Sequence, residues 1–269
     1  MLQPRIRSLV VLLLATTANS PAQWFKIPLP GTPRTANGEP DLNAPAPRAA
    51  DGKPDLSGIW QVMRSSQQRP NGDGRGGLRN SLPPDFRVPL QPWAKALWDK
   101  RYDVDFGTGR PSERCLPHTV PDSLFFGPFK LVYTSRLTVI LEEEFNFYRQ
   151  IHTDGRKHPD KPNPAWFGYS VGAWDGDTLV VDTRGFKIGG WLEYGWLDDS
   201  GIPYTEALHT MERFRRVNFG RMHLDVTIED PNVFTSPWTF GFDFALQPDT
   251  ELIEAICDKE QDVAHMRAK

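Results

Sequence analysis

The stretch RMHLDVTIEDPNVFTSPWTFGFDFAL, which runs from Arg221 to Leu246, decides the fold class of this chain. Apolar side chains fill every second position on either side of the central Asp230-Pro231 pair. These positions are Met222, Leu224, Val226 and Ile228, followed by Trp238, Phe240, Phe242, Phe244 and Leu246. A period of two is the mark of a β-strand, and burial of one face only is typical of antiparallel sheets. The stretch therefore predicts two antiparallel strands that share one apolar face.

The same alternation recurs along the chain and predicts about ten strands in all. Besides a strand around Trp60, we expect strands at 129–135, 137–143, 145–152, 168–174, 178–184, 207–217, 221–229, 236–246 and 251–257. Asp175-Gly176 forms a two-residue hairpin turn between two of them. About ten strands are more than an open twisted sheet usually contains, so we expect the sheet to curl and close. We predict a mainly β fold with one or two short helices. Its strands form an antiparallel meander closed into a calycin-like or lipocalin-like barrel of about 8–10 strands.

The amino terminus resembles a cleavable signal peptide over residues 1–22. Arg5 and Arg7 precede a short apolar run, Leu9 to Ala15, and small residues follow it at the expected cleavage site. The apolar run is too short to anchor the chain in a bilayer. We therefore predict that the protein is secreted or periplasmic.

The rest of the chain divides into an arm and a barrel domain. Residues 23–55 form an extended, Pro-rich arm in which the sequence from Arg34 returns fourteen residues later from Arg48. Residues 56–269 form a single β-barrel domain with a loop and helix insertion at 64–128. The helix is expected near residues 92–101, because Pro92 can open it at its first turn.

The charge of the chain bears on its partners. Removal of the predicted signal peptide leaves 29 basic and 34 acidic residues, a formal charge of −5. This balance argues against nucleic acid or an anionic membrane surface as a partner. We also expect no membrane span, because no later segment holds about 18 consecutive apolar residues. A small molecule is the expected partner, and the sequence leaves the oligomeric state open.

The chain contains two cysteines, Cys115 and Cys257. Disulfides form and persist in oxidising compartments, so an isolated pair in an exported protein predicts a bridge between them. The alternative is two free thiols with one of them catalytic. Neither cysteine lies in a recognisable nucleophile motif.

Several charged side chains fall inside the predicted strands. Arg149 lies on an otherwise apolar strand face, and the strand at 207–217 carries charges on both faces, among them His209, Glu212 and Arg213. Such groups either pair with each other or line a polar cavity. A structural ion pair of Arg149 with Glu212 or Glu142 is one interpretation.

A ligand site is the other interpretation of these charges. Arg149 and Arg213 would bind an anionic group, and His209 would serve as general acid or base with Glu206 or Glu212. Three aromatic residues that follow in the sequence either pack in the core or line the mouth of such a pocket: Trp166, Tyr169 and Trp191.

Two other chemistries are set aside, and no metal or cofactor is predicted. Gly168 to Gly172 matches G-x-S-x-G around Ser170, but a nucleophile elbow needs a helix after the serine, and another strand follows here. His152, Asp154 and His158 could bind zinc, but they lie in a loop rich in charged residues that is typical of solvated surface.

Several motifs together resemble a family of uncharacterised exported bacterial proteins. They are PDLSGIW from Pro54, CLP from Cys115, YRQI from Tyr148, GAWDGDTLVVD from Gly172, ERFRR from Glu212, and Asp230-Pro231 followed by PWT from Pro237. This resemblance covers nearly the whole mature chain and implies export. In addition, Gly58-x-Trp60 on a first strand is similar to the opening of lipocalin-like barrels, where the Trp closes one end.

Three functions are compatible with these observations. The first is binding of a small, partly apolar, anionic or aromatic molecule in the barrel, since barrels of about eight to ten strands have room for one ligand. The second is an enzyme on the same barrel, a hydrolase, lyase or isomerase that uses His209, Glu206 or Glu212, and Arg149. The third is a surface interaction module.

Overall fold

A computed structural model describes residues 27–63, 78, 82–83, 85–104 and 109–257 of the chain. The predicted signal peptide at 1–22 lies outside the described residues. The strands in this part of the chain are β1 (Gly58–Val62), β2 (Phe129–Tyr133), β3 (Leu137–Glu142), β4 (Tyr148–His152), β5 (Tyr169–Asp175), β6 (Thr178–Arg184), β7 (Gly195–Trp196), β8 (Pro203–Tyr204), β9 (His209–Arg216), β10 (Arg221–Glu229) and β11 (Trp238–Leu246). The α-helix α1 spans Pro92–Asp99 and continues as a π-helical turn over Lys100–Val104.

Nine of these strands close into a barrel in the order β1-β11-β10-β9-β6-β5-β4-β3-β2. The predicted mainly β barrel is confirmed. One neighbouring pair differs from the predicted antiparallel meander, because β4 and β5 run parallel and pair only at Ile151↔Ser170 and His152↔Val171. The segment 153–168 carries the chain back to the end at which β4 began, so β5 starts in the same direction. The strands β7 and β8 form a separate two-stranded sheet.

The alternation of β10 and β11 produces the apolar core of the barrel. Their register opposes Leu224 to Phe242 and Val226 to Phe240, so the apolar positions of both strands share one face. All of these positions are buried. Phe242 continues the packing through rings on either side, at 5.8 Å from Phe240 and 5.2 Å from Phe244 between centroids. Period-two alternation therefore sets which side chains enter the barrel.

Trp60 and Arg216 close one end of the barrel. The Trp60 side chain is fully buried and donates from Nε1 to the Leu56 carbonyl at 3.0 Å. The Arg216 guanidinium lies 5.0 Å above the Trp60 ring and donates to the carbonyls of Ser57 and Phe219. These contacts tie the end of β9 to the residues that precede β1.

The amino-terminal arm packs against this closed end. Each copy of its repeat forms a turn closed by a β-bridge, Arg34↔Pro40 in the first copy and Arg48↔Pro54 in the second. Arg48 forms a bidentate ion pair with Asp177 in the turn after β5. The described part of the arm is extended between these turns, as its prolines predict.

The opposite end of the barrel is covered by irregular segments that carry most of the remaining buried side chains. The short 3-10 helix Asp122–Phe125 inserts Phe125 against Phe242 of β11, with ring centroids 4.6 Å apart. The predicted disulfide joins Cys115 to Cys257 and fastens this cover to the carboxyl-terminal segment. None of the described helices is long and apolar enough to cross a membrane.

Two of the predicted strands differ from the prediction, one in where it begins and one in whether it forms. The strand expected at 145–152 begins at Tyr148, because Phe145 and Asn146 adopt left-handed backbone angles with φ of 60° and 56°. The segment 251–257 is not a strand among the described residues and makes a single bridge, Glu144↔Ala255.

Candidate functional site

Four polar side chains form a connected group on the inner wall of the barrel: Arg149, Ser170, Thr183 and Glu212. They come from the adjacent strands β4, β5, β6 and β9. Each occupies a buried position in the alternating pattern of its strand and therefore points into the barrel. We refer to them below as the inner polar group.

Arg149 is the centre of the inner polar group. Its Nη1 donates to Glu212 Oε1 at 2.9 Å, and its Nη2 donates to the second oxygen of the same carboxylate. Its Nε donates to Ser170 Oγ at 3.1 Å, and Nη2 also reaches Thr183 Oγ1 at 2.9 Å. Arg149 is 3% exposed and Glu212 is 0% exposed. The predicted Arg149–Glu212 ion pair is confirmed, and its bidentate geometry is the strong form of this interaction.

A groove opens in the barrel wall next to the inner polar group. Because β4 and β5 pair over only two residues, their ends diverge and leave a cavity of about 410 Å³ between them. The residues that line it are Pro117, Phe147, Tyr148, Arg149, Gln150, His152, Ala165, Trp166, Phe167, Gly168, Tyr169 and Ser170. This β4–β5 groove thus combines aromatic walls with access to Arg149 and Ser170.

The predicted ligand-binding residues divide between the groove and the outer surface. Arg149, Trp166 and Tyr169 line the groove. Trp191 lies beside it, with its ring centroid 6.2 Å from that of Trp166. Arg213 is on the outer face of the barrel, where it pairs with Asp175 at 2.8 Å.

The structure does not bring the predicted catalytic residues together. His209 lies on the outer face, with Nε2 at 3.0 Å from Asp182 Oδ1 and Nδ1 at 3.4 Å from Glu229 Oε2. Glu206 is exposed in the turn before β9. Residues 209 and 212 are an odd number of positions apart, so they project from opposite faces of the strand. The expectation that His209 shares a cavity with Arg149 and Glu212 is therefore wrong.

A second buried cluster lies on the covered end of the barrel, and the sequence reasoning missed it. His118 Nδ1 lies 3.1 Å from Asp122 Oδ2 and 3.3 Å from Asp199 Oδ1. On the other side of the ring, Nε2 lies 3.2 Å from Glu144 Oε2. The Phe126 ring stacks on the imidazole with centroids 3.7 Å apart. We call His118, Asp122, Asp199 and Glu144 the His118 cluster.

Burial and mutual contact shift the pKa values in and around this cluster. Burial lowers the pKa of His118, but the contacts with Asp122, Asp199 and Glu144 outweigh it and raise that pKa well above its usual value. Burial raises the pKa of Asp122. Burial also favours a higher pKa for Asp199, but the hydrogen bond from His118 holds that pKa below its usual value.

Two further carboxyl groups near the cluster have strongly raised pKa values. Burial raises the pKa of Glu142 to about 7, despite a hydrogen bond with Ser123. Burial and the neighbouring charge of Asp122 raise the pKa of Asp198 to about 7. Perturbed carboxyl groups of this kind are enriched at functional sites.

Among the described residues, neither the serine nucleophile nor the loop zinc site considered from the sequence is assembled at the positions considered. Ser170 is in a β-strand and is bonded to Arg149 and Thr183, with no helix after it. Asp154 pairs with Arg156, while His158 contacts Asp182. Within the described ranges, the group of His, Cys, Asp and Glu residues with metal-like spacing is His118, Asp122 and Asp199.

Sequence reasoning missed His118 because it lies in an irregular segment between prolines, where periodicity says nothing. Asp199 lies far from it in the chain, and no local spacing connects the two. The available signal was the disulfide, since Cys115 fixes a segment that includes the histidine three residues later. Comparisons of the chain with family models, curated proteins and solved structures find no match.

Proposed function

We propose that the protein binds a small, partly apolar, aromatic molecule in the β4–β5 groove. The observation that carries this proposal is the groove itself, a cavity of about 410 Å³ with aromatic walls and Arg149 among its lining residues. Ligand sites of small molecules are typically about 300–1,000 Å³, mostly apolar, with a few fixed polar groups. The groove meets each of these conditions.

The aromatic walls favour a flat ring as the ligand. Tyr169 stands between His152 and His158, with ring centroids 5.2 Å and 5.9 Å away, and Phe147 lies 6.3 Å from Phe167. Offset and edge-to-face ring contacts of this kind stabilise a bound aromatic by about 0.5–1.5 kcal/mol each beyond the area they bury.

The polar base of the groove favours a neutral hydrogen-bonding group over a full negative charge. The charge of Arg149 is balanced by Glu212, so an anion would find no uncompensated cation there. At the rim, burial and then the charge of Arg156 lower the pKa of His152, so its imidazole is neutral near pH 7. A phenol suits this environment, because it can both donate to and accept from such groups.

Tryptophan fluorescence titration with two probes of the same shape tests the proposal. 2-Naphthol is neutral near pH 7, and 2-naphthoate is anionic. We expect saturable binding of 2-naphthol, weaker binding of 2-naphthoate, and a loss of at least tenfold in affinity, about 1.4 kcal/mol, for Tyr169→Ala and for Phe167→Ala. Trp93→Ala is the control, because Trp93 is a half-exposed aromatic outside the groove.

Two results would refute the proposal. One is equal affinity of the wild type and both groove variants for 2-naphthol. The other is the absence of saturable probe binding together with native mass spectra, from protein purified from its own host, that show no retained small molecule.

A further inference from the structure

We propose that His118, Asp122 and Asp199 bind one divalent transition-metal ion, of the class of Zn²⁺ or Mn²⁺, at the covered end of the barrel. This site is separate from the β4–β5 groove, and the proposal does not depend on what the groove binds.

The spacing of the donor atoms fits a metal ion. His118 Nδ1 is 3.1 Å from Asp122 Oδ2 and 3.3 Å from Asp199 Oδ1, and the three donor atoms lie within 4.8 Å of one another. Nitrogen and oxygen ligands bind Zn²⁺ at about 2.1 Å, which places neighbouring ligands roughly 3.0–3.4 Å apart. One ion can therefore contact all three atoms after small side-chain rotations.

Neighbouring residues hydrogen-bond to the proposed ligand side chains and orient them, as is usual around metal ligands. The Leu78 backbone N–H donates to Asp122 Oδ1 at 2.6 Å, and the Asp199 backbone N–H donates to Asp122 Oδ2 at 3.2 Å, beside His118 Nδ1. Ser112 Oγ donates to the Asp199 carboxylate at 3.0 Å. A metal-ligating histidine almost always presents its second ring nitrogen to a carboxylate or carbonyl, and Glu144 Oε2 lies 3.2 Å from Nε2, at an angle outside hydrogen-bond geometry.

The carboxyl groups of the site are buried close to one another. Asp122 and Asp198 are almost fully buried, and the Asp199 side chain is 9% exposed. Within the described residues, the cations in contact with Asp199 are His118 and Arg110, the latter at 3.4 Å. Metal binding releases the proton of an imidazolium, so a bound ion would replace the charge that His118 supplies. A divalent ion bound to a neutral imidazole and two carboxylates would make the ligand set neutral.

Glu142 gives an independent sign of a missing partner. It is 6% exposed, its Oε1 is buried without a hydrogen-bond partner, and it lies close enough to His118 to feel its charge. A buried oxygen of this kind is rare unless water or an ion satisfies it. Ser123 hydrogen-bonds to Glu142 and directly follows Asp122 in the chain, so the Glu142 carboxyl group lies near the proposed site.

The donor set selects the class of ion. Mg²⁺ and Ca²⁺ prefer oxygen ligands throughout, whereas imidazole suits Zn²⁺, Fe²⁺, Cu²⁺ and Ni²⁺, and carboxylates suit Mn²⁺. One nitrogen with two carboxylates therefore favours Zn²⁺ or Mn²⁺ over the alkaline-earth ions.

Calorimetric titration of tag-free, EDTA-dialysed protein with Zn²⁺, Mn²⁺ and Mg²⁺ tests the proposal. We expect one Zn²⁺ or Mn²⁺ ion per chain, at least tenfold weaker binding of Mg²⁺, and at least tenfold weaker binding of the transition metal to Asp199→Asn. The matched control is Asp182→Asn. Asp182 contacts His158 and His209 on the outer face, and these residues form the competing surface cluster.

The outcomes separate the proposed site from surface binding. Affinity kept by Asp199→Asn and lost by Asp182→Asn would overturn the proposal, as would a wild-type chain that binds neither ion. Electron spin-echo spectra of the Mn²⁺-loaded wild type need no variant, so they decide the question even if Asp199→Asn fails to fold. We expect modulation from a single imidazole nitrogen, and its absence would also overturn the proposal.

Discussion

We predict that removing one member of the Arg149–Glu212 ion pair destabilises the fold far more than replacing both members together. Both side chains are nearly inaccessible, at 2% and 0% exposure. Among the described residues, Glu212→Leu leaves the buried guanidinium with the hydroxyls of Ser170 and Thr183 as its hydrogen-bond partners, and Arg149→Met leaves the buried carboxylate without its cation. Breaking a buried pair from one side costs about 3–5 kcal/mol. The double variant removes both charges and is expected to lose no more than about 1–2 kcal/mol.

A double-mutant cycle by urea denaturation at pH 7, followed by tryptophan fluorescence, measures this coupling. The next residue of the same strand supplies a matched control. Arg213 pairs with Asp175 on the outer face, where their side chains are 44% and 70% exposed. Screening by water limits the coupling of that pair to about 1 kcal/mol or less. The reasoning fails if Arg149→Met alone costs less than about 1 kcal/mol, or if the inner coupling is no larger than the outer one.

Two further predictions concern stability. Burial keeps the proton on Glu142 up to about pH 7 in the folded chain, whereas the unfolded chain releases it near pH 4.5, so the free energy of unfolding should fall as the pH rises between these values. Urea unfolding at pH 5 and pH 8 should show a drop that Glu142→Gln reduces by about 1–3 kcal/mol, with Asp198 contributing a drop of the same sign, and an unchanged drop in that variant would contradict the described burial. Replacing Cys115 and Cys257 together by serine should lower the free energy of unfolding by up to about 5 kcal/mol, because the bridge spans 142 residues. Urea unfolding of the oxidised wild type and of the serine variant measures this difference, and a loss below about 1 kcal/mol would show that the bridge does not constrain the unfolded chain.

The barrel could be predicted from the sequence because its strands are amphipathic. Where one face of a strand is buried and the other is in contact with solvent, apolar and polar residues alternate in the sequence, as in β10 and β11. The strand predicted at 251–257 fails the same test, since Leu252 to Ile256 are mostly exposed and bury no continuous face. The parallel contact of β4 and β5 could not be predicted, because the direction of a strand depends on the path of the loop before it.

The candidate site could be predicted only where it lies on regular strands. Arg149 and Glu212 both fall on the apolar phase of their strands, so their pairing follows from periodicity. The same rule places His209 and Glu212 on opposite faces of β9, so the two cannot share one cavity. The His118 cluster is assembled by loops, the disulfide and contacts between distant segments, such as His118 with Asp199. Such contacts have no local signature in one sequence.

The closure of the barrel has a consequence for how the groove can vary. In a closed barrel, all neighbouring strands can be antiparallel only if the number of strands is even. This barrel has nine. One adjacent pair must therefore point the same way, and β4 and β5 meet that geometric requirement with two residue pairs. The other eight seams are antiparallel and fix the shape of the cylinder. Insertions or deletions in the segment 153–168 can thus widen or narrow the β4–β5 groove without shifting the register of the other eight strand pairs.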